Sequence, residues 1–160
     1  MHHMKSISLT SITAISLVWA TAALSQEKQY EVTRTLNLSS PVTEVWHVVG
    51  DFCDVDDWHP AITACALRVV DGRLHRVLTT QDGAEFIEQR IAVEPGLSYT
   101  YRITQSPLPV TRYTATFAVE PLDGTRISWS ARFRSDNPEA EAMIGAIFDD
   151  GLAAIDAMLD

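Results

Sequence analysis

Basic side chains are scarce in this chain. Its 160 residues carry 12 Lys and Arg against 21 Asp and Glu, for a net charge of −9. That balance argues against nucleic acid and anionic membrane surfaces as partners, because both are held by basic patches. Cysteine is limited to Cys53 and Cys65, too few for a four-thiolate zinc site or a dense disulfide scaffold. No two histidines stand at zinc-binding spacing, and there is no glycine-rich phosphate loop and no G-x-S-x-G turn. Nucleotide-driven chemistry and serine hydrolysis therefore lack their residues, and neither cofactor nor metal is expected. The acidic run Asp51, Asp54, Asp56 and Asp57 lacks the sharp-turn glycine and the closing glutamate of a calcium loop.

What is present begins with an export signal. Lys5 precedes an uncharged stretch, Ile7 to Ala23, and small residues follow at Ala20-Thr21-Ala22 and Ala23-Leu24-Ser25 before polar Gln26-Glu27-Lys28. Residues 1–25 read as a signal peptide. The competing reading is a membrane anchor, which wants roughly 20 strongly apolar residues where this run is broken by Ser and Thr. Residues 26–160 then form one exported domain, periplasmic or secreted, with no stable membrane insertion after processing and a monomeric or weakly dimeric state. Export permits a Cys53–Cys65 disulfide. The alternative is two separate buried thiols, since sequence does not fix the distance between their Cα atoms.

Along the domain, Tyr30–Leu38 alternates as a strand. Ser40-Pro41 caps and opens a helix carrying Val42, Val45, Trp46 and Val49, and Gly50 stops it. A short helix or turn over Asp51–Trp58 ends at Pro60. Six strands follow: Ile62–Val70, Leu74–Thr80, Glu85–Val93, Ser98–Thr104, Thr111–Val119 and Thr125–Phe133. Asp71-Gly72 and Asp82-Gly83 read as two-residue hairpin loops. Asn137-Pro138 opens a final helix of roughly six turns, with Met143, Ile147, Phe148, Ala154, Ile155 and Met158 near one face. The connections are too short for parallel crossovers, so the class is α+β with an antiparallel sheet. Tyr99, Tyr101, Tyr113, Phe117, Ile127 and Trp129 share the inner face. One helix is too little to fill such a bowl, which implies a cavity; the alternative is that the aromatics fill it.

The ordered set Pro41-x-x-x-Val45-Trp46, Gly50-Asp51-Phe52, Trp58-His59-Pro60-Ala61-Ile62, Asp82-Gly83, Glu88, Tyr99-x-Tyr101, Leu108-Pro109-Val110 with Tyr113, Thr125-Arg126 with Trp129, and Gly151-Leu152 resembles the SRPBCC superfamily. Within it the set is similar to the polyketide cyclase/dehydratase and lipid-transport family, including its exported MxaD-type branch. The resemblance spans roughly residues 30–158. It implies a START-like or birch-allergen-like helix-grip fold, with about seven strands around a long C-terminal helix and an internal site for a lipid, polyketide or other small hydrophobic ligand. It further implies an accessory role with a periplasmic protein partner, or, in other members, cyclase and dehydratase chemistry. Relatives carry Arg in the third strand where this chain shows His75 between Arg73 and Arg76, which puts an Arg–Glu pairing in doubt.

With Asp82-Gly83 as a two-residue loop, Val77 faces Glu88 and His75 faces Arg90. His75, Glu88 and Arg90 then cluster on one face as candidate acid, base or ligand anchor. The alternative places them outside, with Ile87, Ile91 and Val93 buried. His59 stands in the loop expected at the cavity mouth, as a ligand contact or a structural residue beside Trp58. The candidate catalytic residues are Glu88, His59 and His75. The candidate ligand contacts are Trp58, His59, Phe86, Glu88 and Arg90, the inner-face residues Tyr99, Tyr101, Tyr113, Phe117 and Trp129, and Met143 and Ile147 on the last helix.

Overall fold

The computed structural model describes residues 27–159; the expected signal peptide lies outside them. The chain forms β1 (Lys28–Leu38), α1 (Val42–Val49), α2 (Val55–Trp58), β2 (Ile62–Val70), β3 (Arg73–Thr80), β4 (Glu85–Glu94), β5 (Ser98–Gln105), β6 (Thr111–Pro121), β7 (Thr125–Ser135) and α3 (Ala140–Leu159). The seven strands make one antiparallel sheet in the order β1-β7-β6-β5-β4-β3-β2. With α3 packed across it and two short helices after β1, this is the helix-grip fold.

The two Asp-Gly pairs behave differently, and the difference sets the register of the site. Asp71 and Gly72 both have positive φ, 50° and 71°, and Val70 pairs directly with Arg73, as a two-residue loop requires. At the next hairpin only Gly83 is left-handed, at φ 81°. Its amide donates to the Thr80 carbonyl, and the Thr80 amide donates to the Ala84 carbonyl. The loop is therefore Gln81-Asp82-Gly83, a turn followed by one left-handed glycine. The Asp82 carboxylate favours it by accepting from the Ala84 amide at 3.3 Å and from the Thr80 hydroxyl. The extra residue shifts the expected register by one: Glu88 pairs with Arg76, and His75 with Gln89. One step along a strand reverses every side chain. His75 therefore lies on the outer face, its Nδ1 3.0 Å from the Arg73 carbonyl, and the expected His75–Glu88–Arg90 cluster does not form.

Both helix starts also differ in detail. Pro41 holds the N-cap position of α1, without a side-chain cap. Ser40 instead donates to the Leu159 carbonyl and accepts from Thr125, tying the α1 entrance to the last helix and strand. Before α3 the Asn137 side chain accepts from the Glu139 amide at 2.9 Å, and the α-helix begins at Ala140. The buried stripe of α3 is Ala140, Ile144, Gly145, Phe148, Gly151, Leu152 and Ile155. Met143 and Met158, expected inside, are 37% and 53% exposed, because two glycines occupy the positions nearest the sheet. A Cβ on Gly151 would sit 2.8 Å from His59, 2.9 Å from Trp129 and 3.1 Å from Trp58.

Cys53 and Cys65 are joined, with Cα atoms 5.6 Å apart and 12 positions apart in sequence. The bond ties the α1–α2 segment to edge strand β2. Closing a loop of that size is worth about 3 kcal/mol in the chain-entropy model. The Cys53→Ser/Cys65→Ser variant should lose about 2–3 kcal/mol of unfolding free energy in urea titrations. A loss below about 0.5 kcal/mol would show that the segment is held without the crosslink.

Candidate functional site

Between the sheet and α3 lies a cavity of about 90 Å³. Its walls come from eight elements: Val55 on α2, Ile62 on β2, Leu78 on β3, Phe86 on β4, Ile103 on β5, Tyr113 on β6, Trp129 on β7, and Ile144, Ile147 and Phe148 on α3, with the loop residues Ala61 and Leu108 closing the ends. Two surface depressions share wall residues with it. One, beside Pro60, Gln81, Asp82 and Asp150, shares Ala61 and Thr80; the other, along β5 and β6, shares Ile103 and Tyr113.

Charge enters this apolar space at one place. Arg76 is 2% and Glu88 5% exposed. As direct cross-strand partners they meet with Arg76 Nε donating to Glu88 Oε2 at 2.6 Å. Arg76 also donates from Nη1 to the Phe52 carbonyl at 2.7 Å. Its guanidinium lies 4.3 Å from the Phe52 ring centroid and 4.8 Å from that of Tyr101, a cation–π arrangement in a dry setting. Burial works against its charge, but Glu88 and the neighbouring tyrosines hold its pKa above the ordinary arginine value. Arg76 thus stays cationic and Glu88 has a fixed counter-ion.

A second polar contact lies beside the pair. Trp129 Nε1 donates to the Tyr101 hydroxyl at 3.0 Å, and the Tyr101 and Tyr113 rings lie 6.3 Å apart. Burial raises the pKa of both phenols, so they remain neutral donors and acceptors. Trp129 also stacks on Phe148 of α3, with centroids 4.2 Å apart and planes 13° apart. That contact clamps the helix to the sheet.

His59 is inside but fully engaged. Its Nδ1 accepts from the Ala61 amide at 3.2 Å, which leaves the proton on Nε2 to be donated to the Ile147 carbonyl at 3.0 Å. Neither nitrogen is left for a ligand. The structure therefore places His59, Phe86, Glu88, Tyr101, Tyr113, Trp129 and Ile147 on the cavity wall. It leaves five expected contacts elsewhere. Tyr99 and Phe117 stack on each other at 5.6 Å, Trp58 packs against Phe117 and Trp129, Arg90 lies 5.7 Å beyond the Phe52 ring, and Met143 faces outward. Arg76 is the charged wall residue that the sequence reading did not select, and apolar wall residues such as Leu78, Ile103, Ile144 and Phe148 were not selected either. The acidic run serves the backbone: Asp51, Asp54 and Asp56 accept from the amides of Cys53, Asp51 and Cys65. No group of side chains among the described residues is arranged to hold a metal ion, and no helix among them is long and apolar enough to cross a membrane.

A helix-grip fold around a small apolar cavity with one buried ion pair defines a class of internal-site proteins. Residues 29–160 match the model of the polyketide cyclase/dehydrase and lipid transport family, and the chain belongs to that family. XoxI from Bacillus cereus is 29% identical over 81% of this chain and 94% of its own, with a TM-score of 0.74. A protein from Nitrosospira multiformis is 23% identical over 82% and 97%, with a TM-score of 0.70. Norcoclaurine synthase from Thalictrum flavum is 16% identical over 84% and 96%, with a TM-score of 0.61. The last two are likenesses of fold. No curated protein matches the sequence.

Two outcomes test this site. Removing one partner of the ion pair strands a buried charge, so Arg76→Met and Glu88→Gln should each cost about 3–5 kcal/mol, and the double variant less than either. Additive losses would contradict a direct pair. The second concerns pH. Burial lowers the His59 pKa, partly offset by the Ile147 hydrogen bond and Asp150. As pH falls below the unfolded value of about 6.5, the unfolded chain takes this proton first. Stability is therefore lost from about pH 6.5 down to the folded pKa. Protonating Nδ1 would also turn it against the Ala61 amide. Urea midpoints between pH 8 and 5 should fall less steeply for His59→Gln than for the parent; equal slopes would exclude His59 as the source.

Proposed function

We propose that the protein is exported and holds a small, mostly apolar molecule in the cavity between β3–β7 and α3, as a carrier or accessory factor of the periplasm. The observation that supports this is a small, largely apolar space between sheet and helix with a charged pair in its wall. A core evolved only for stability has no use for either feature. The size of the space bounds the occupant. Pockets for drug-sized ligands run to about 300–1,000 Å³, and an engineered apolar cavity of about 150 Å³ takes benzene. A cavity of about 90 Å³ does not admit a whole lipid or polyketide. The occupant is compact, or it enters end-on and leaves its remainder in a surface depression. The MxaD-type resemblance and the apolar N-terminal run support export, and the same resemblance supports a periplasmic protein partner.

A second reading is an acid/base enzyme, a cyclase, dehydratase or isomerase. Glu88 favours it, since its carboxylate lies on the cavity wall. The proposed proton carriers beside it do not: His59 has both nitrogens engaged, and His75 is on the other face of the sheet.

Native mass spectrometry of protein taken from the periplasm without denaturation checks the binding reading. A compact adduct should appear, and Ile147→Trp, which fills the cavity from α3, should reduce it at least tenfold. Adduct-free protein from several hosts, or an adduct unaffected by Ile147→Trp, would contradict it.

A further inference from the structure

The hydrogen-bonding capacity left unused in the cavity wall specifies the ligand more closely. The polar groups there are His59, Arg76, Thr80, Glu88, Tyr101 and Tyr113. Most are committed. His59 is engaged at both nitrogens. Arg76 serves Glu88 and the Phe52 carbonyl. The Thr80 hydroxyl serves Asp82 and the Ala84 carbonyl. Tyr101 accepts from Trp129. Three capacities remain, the first being the Arg76 N–H groups that neither Glu88 nor the Phe52 carbonyl takes up. Glu88 accepts one hydrogen bond, at Oε2, and its other carboxylate oxygen has no partner among the described residues. The Tyr113 hydroxyl, also on the wall, has no hydrogen-bond partner among the described residues.

We infer that the cavity selects an uncharged molecule bearing a hydroxyl group, an alcohol or phenol on an apolar body, and rejects carboxylates. This rests on the binding reading above. A ligand hydroxyl donates to the free Glu88 oxygen and accepts from Tyr113 or an Arg76 N–H, so that one group meets the acceptor and a donor together. A carboxylate offers only acceptors. It would put a second negative charge beside Glu88 in a low-dielectric wall, where Arg76 balances only one of the two. An amine would find Glu88 but would be expelled by Arg76, one hydrogen bond away. A hydrocarbon would leave the carboxylate oxygen unsatisfied.

The test uses three unbranched probes narrow enough to enter end-on: 1-hexanol, hexanoate and 1-chlorohexane. They are titrated into the mature, disulfide-bonded protein and followed by amide chemical shifts. 1-Hexanol should bind at least tenfold more tightly than either of the others, with shifts centred on β3, β4 and α3. In Arg76→Met/Glu88→Gln, which keeps an amide but no charge, hexanoate should gain at least tenfold relative to 1-hexanol. In Glu88→Gln, which leaves Arg76 unpaired, the preference should reverse if the variant folds; the double variant carries the test if it does not. Equal binding of hexanoate and 1-hexanol by the parent protein would overturn this inference and leave the cavity reading standing. No binding of any probe would overturn both.

Discussion

Most of this structure depends on one buried contact, the ion pair between Arg76 and Glu88. Taking two charges out of water costs several kcal/mol per ion. The cost is offset only where geometry is close and the remaining valences are met, and here the Phe52 carbonyl and two aromatic faces serve those of Arg76. The pair also polices register. A one-residue slip of β3 against β4 would set Glu88 opposite Val77 in an apolar wall and turn Arg76 out to solvent. The hairpin loop and the ion pair thus specify the same alignment, and agreement between local turn chemistry and long-range pairing is what a single native state needs.

The same arginine positions the helices. Phe52 and Cys53 are neighbours in the segment between α1 and α2. The first is held to β3 by Arg76 and the second to β2 by the disulfide. On the opposite side, His59 bonds the Ile147 carbonyl, Trp129 stacks on Phe148, and Gly151 lets α3 approach both rings. The walls are tethered to one another at points around the cavity, so collapse onto the void would have to break specific contacts. A void that persists for this reason is a site, whereas an unbraced one is a packing defect.

Strand order, helix order and the inner aromatic phase were legible in the sequence because alternation, Asn-Pro and Asp-Gly signals are local. Tyr101, Tyr113 and Trp129 on the cavity wall follow from that phase, whereas alternation alone left Glu88 open between the two faces and only the family resemblance drew it inward. What was not legible turned on single residues. Asp82-Gly83 looks identical to Asp71-Gly72, and only the Thr80 side chain and backbone decide that the second loop takes three residues. That one residue moved His75 out and Arg76 in, and Arg76 is the Arg of β3 that pairs with Glu88 after all. Met143 was drawn into the α3 stripe because glycine does not register as apolar, although Gly145 and Gly151 mark the face closest to the sheet. Tyr99, Phe117 and Trp58 share the inner face yet stack on one another, and periodicity carries no information on which rings fill space and which border it.

The Arg76 Nε–H is the most direct probe of this account. In a ¹⁵N-labelled sample near neutral pH its side-chain resonance should be sharp and should exchange with solvent far more slowly than those of the half-exposed or exposed Arg34, Arg126 and Arg132. Removing Glu88 should abolish that protection while the outer-face Arg102, which donates to Gln89, keeps its own. An Arg76 Nε–H that exchanges as fast as the surface arginines would mean that the pair is not buried, and the register, the braced cavity and the ligand chemistry built on it would all fail together.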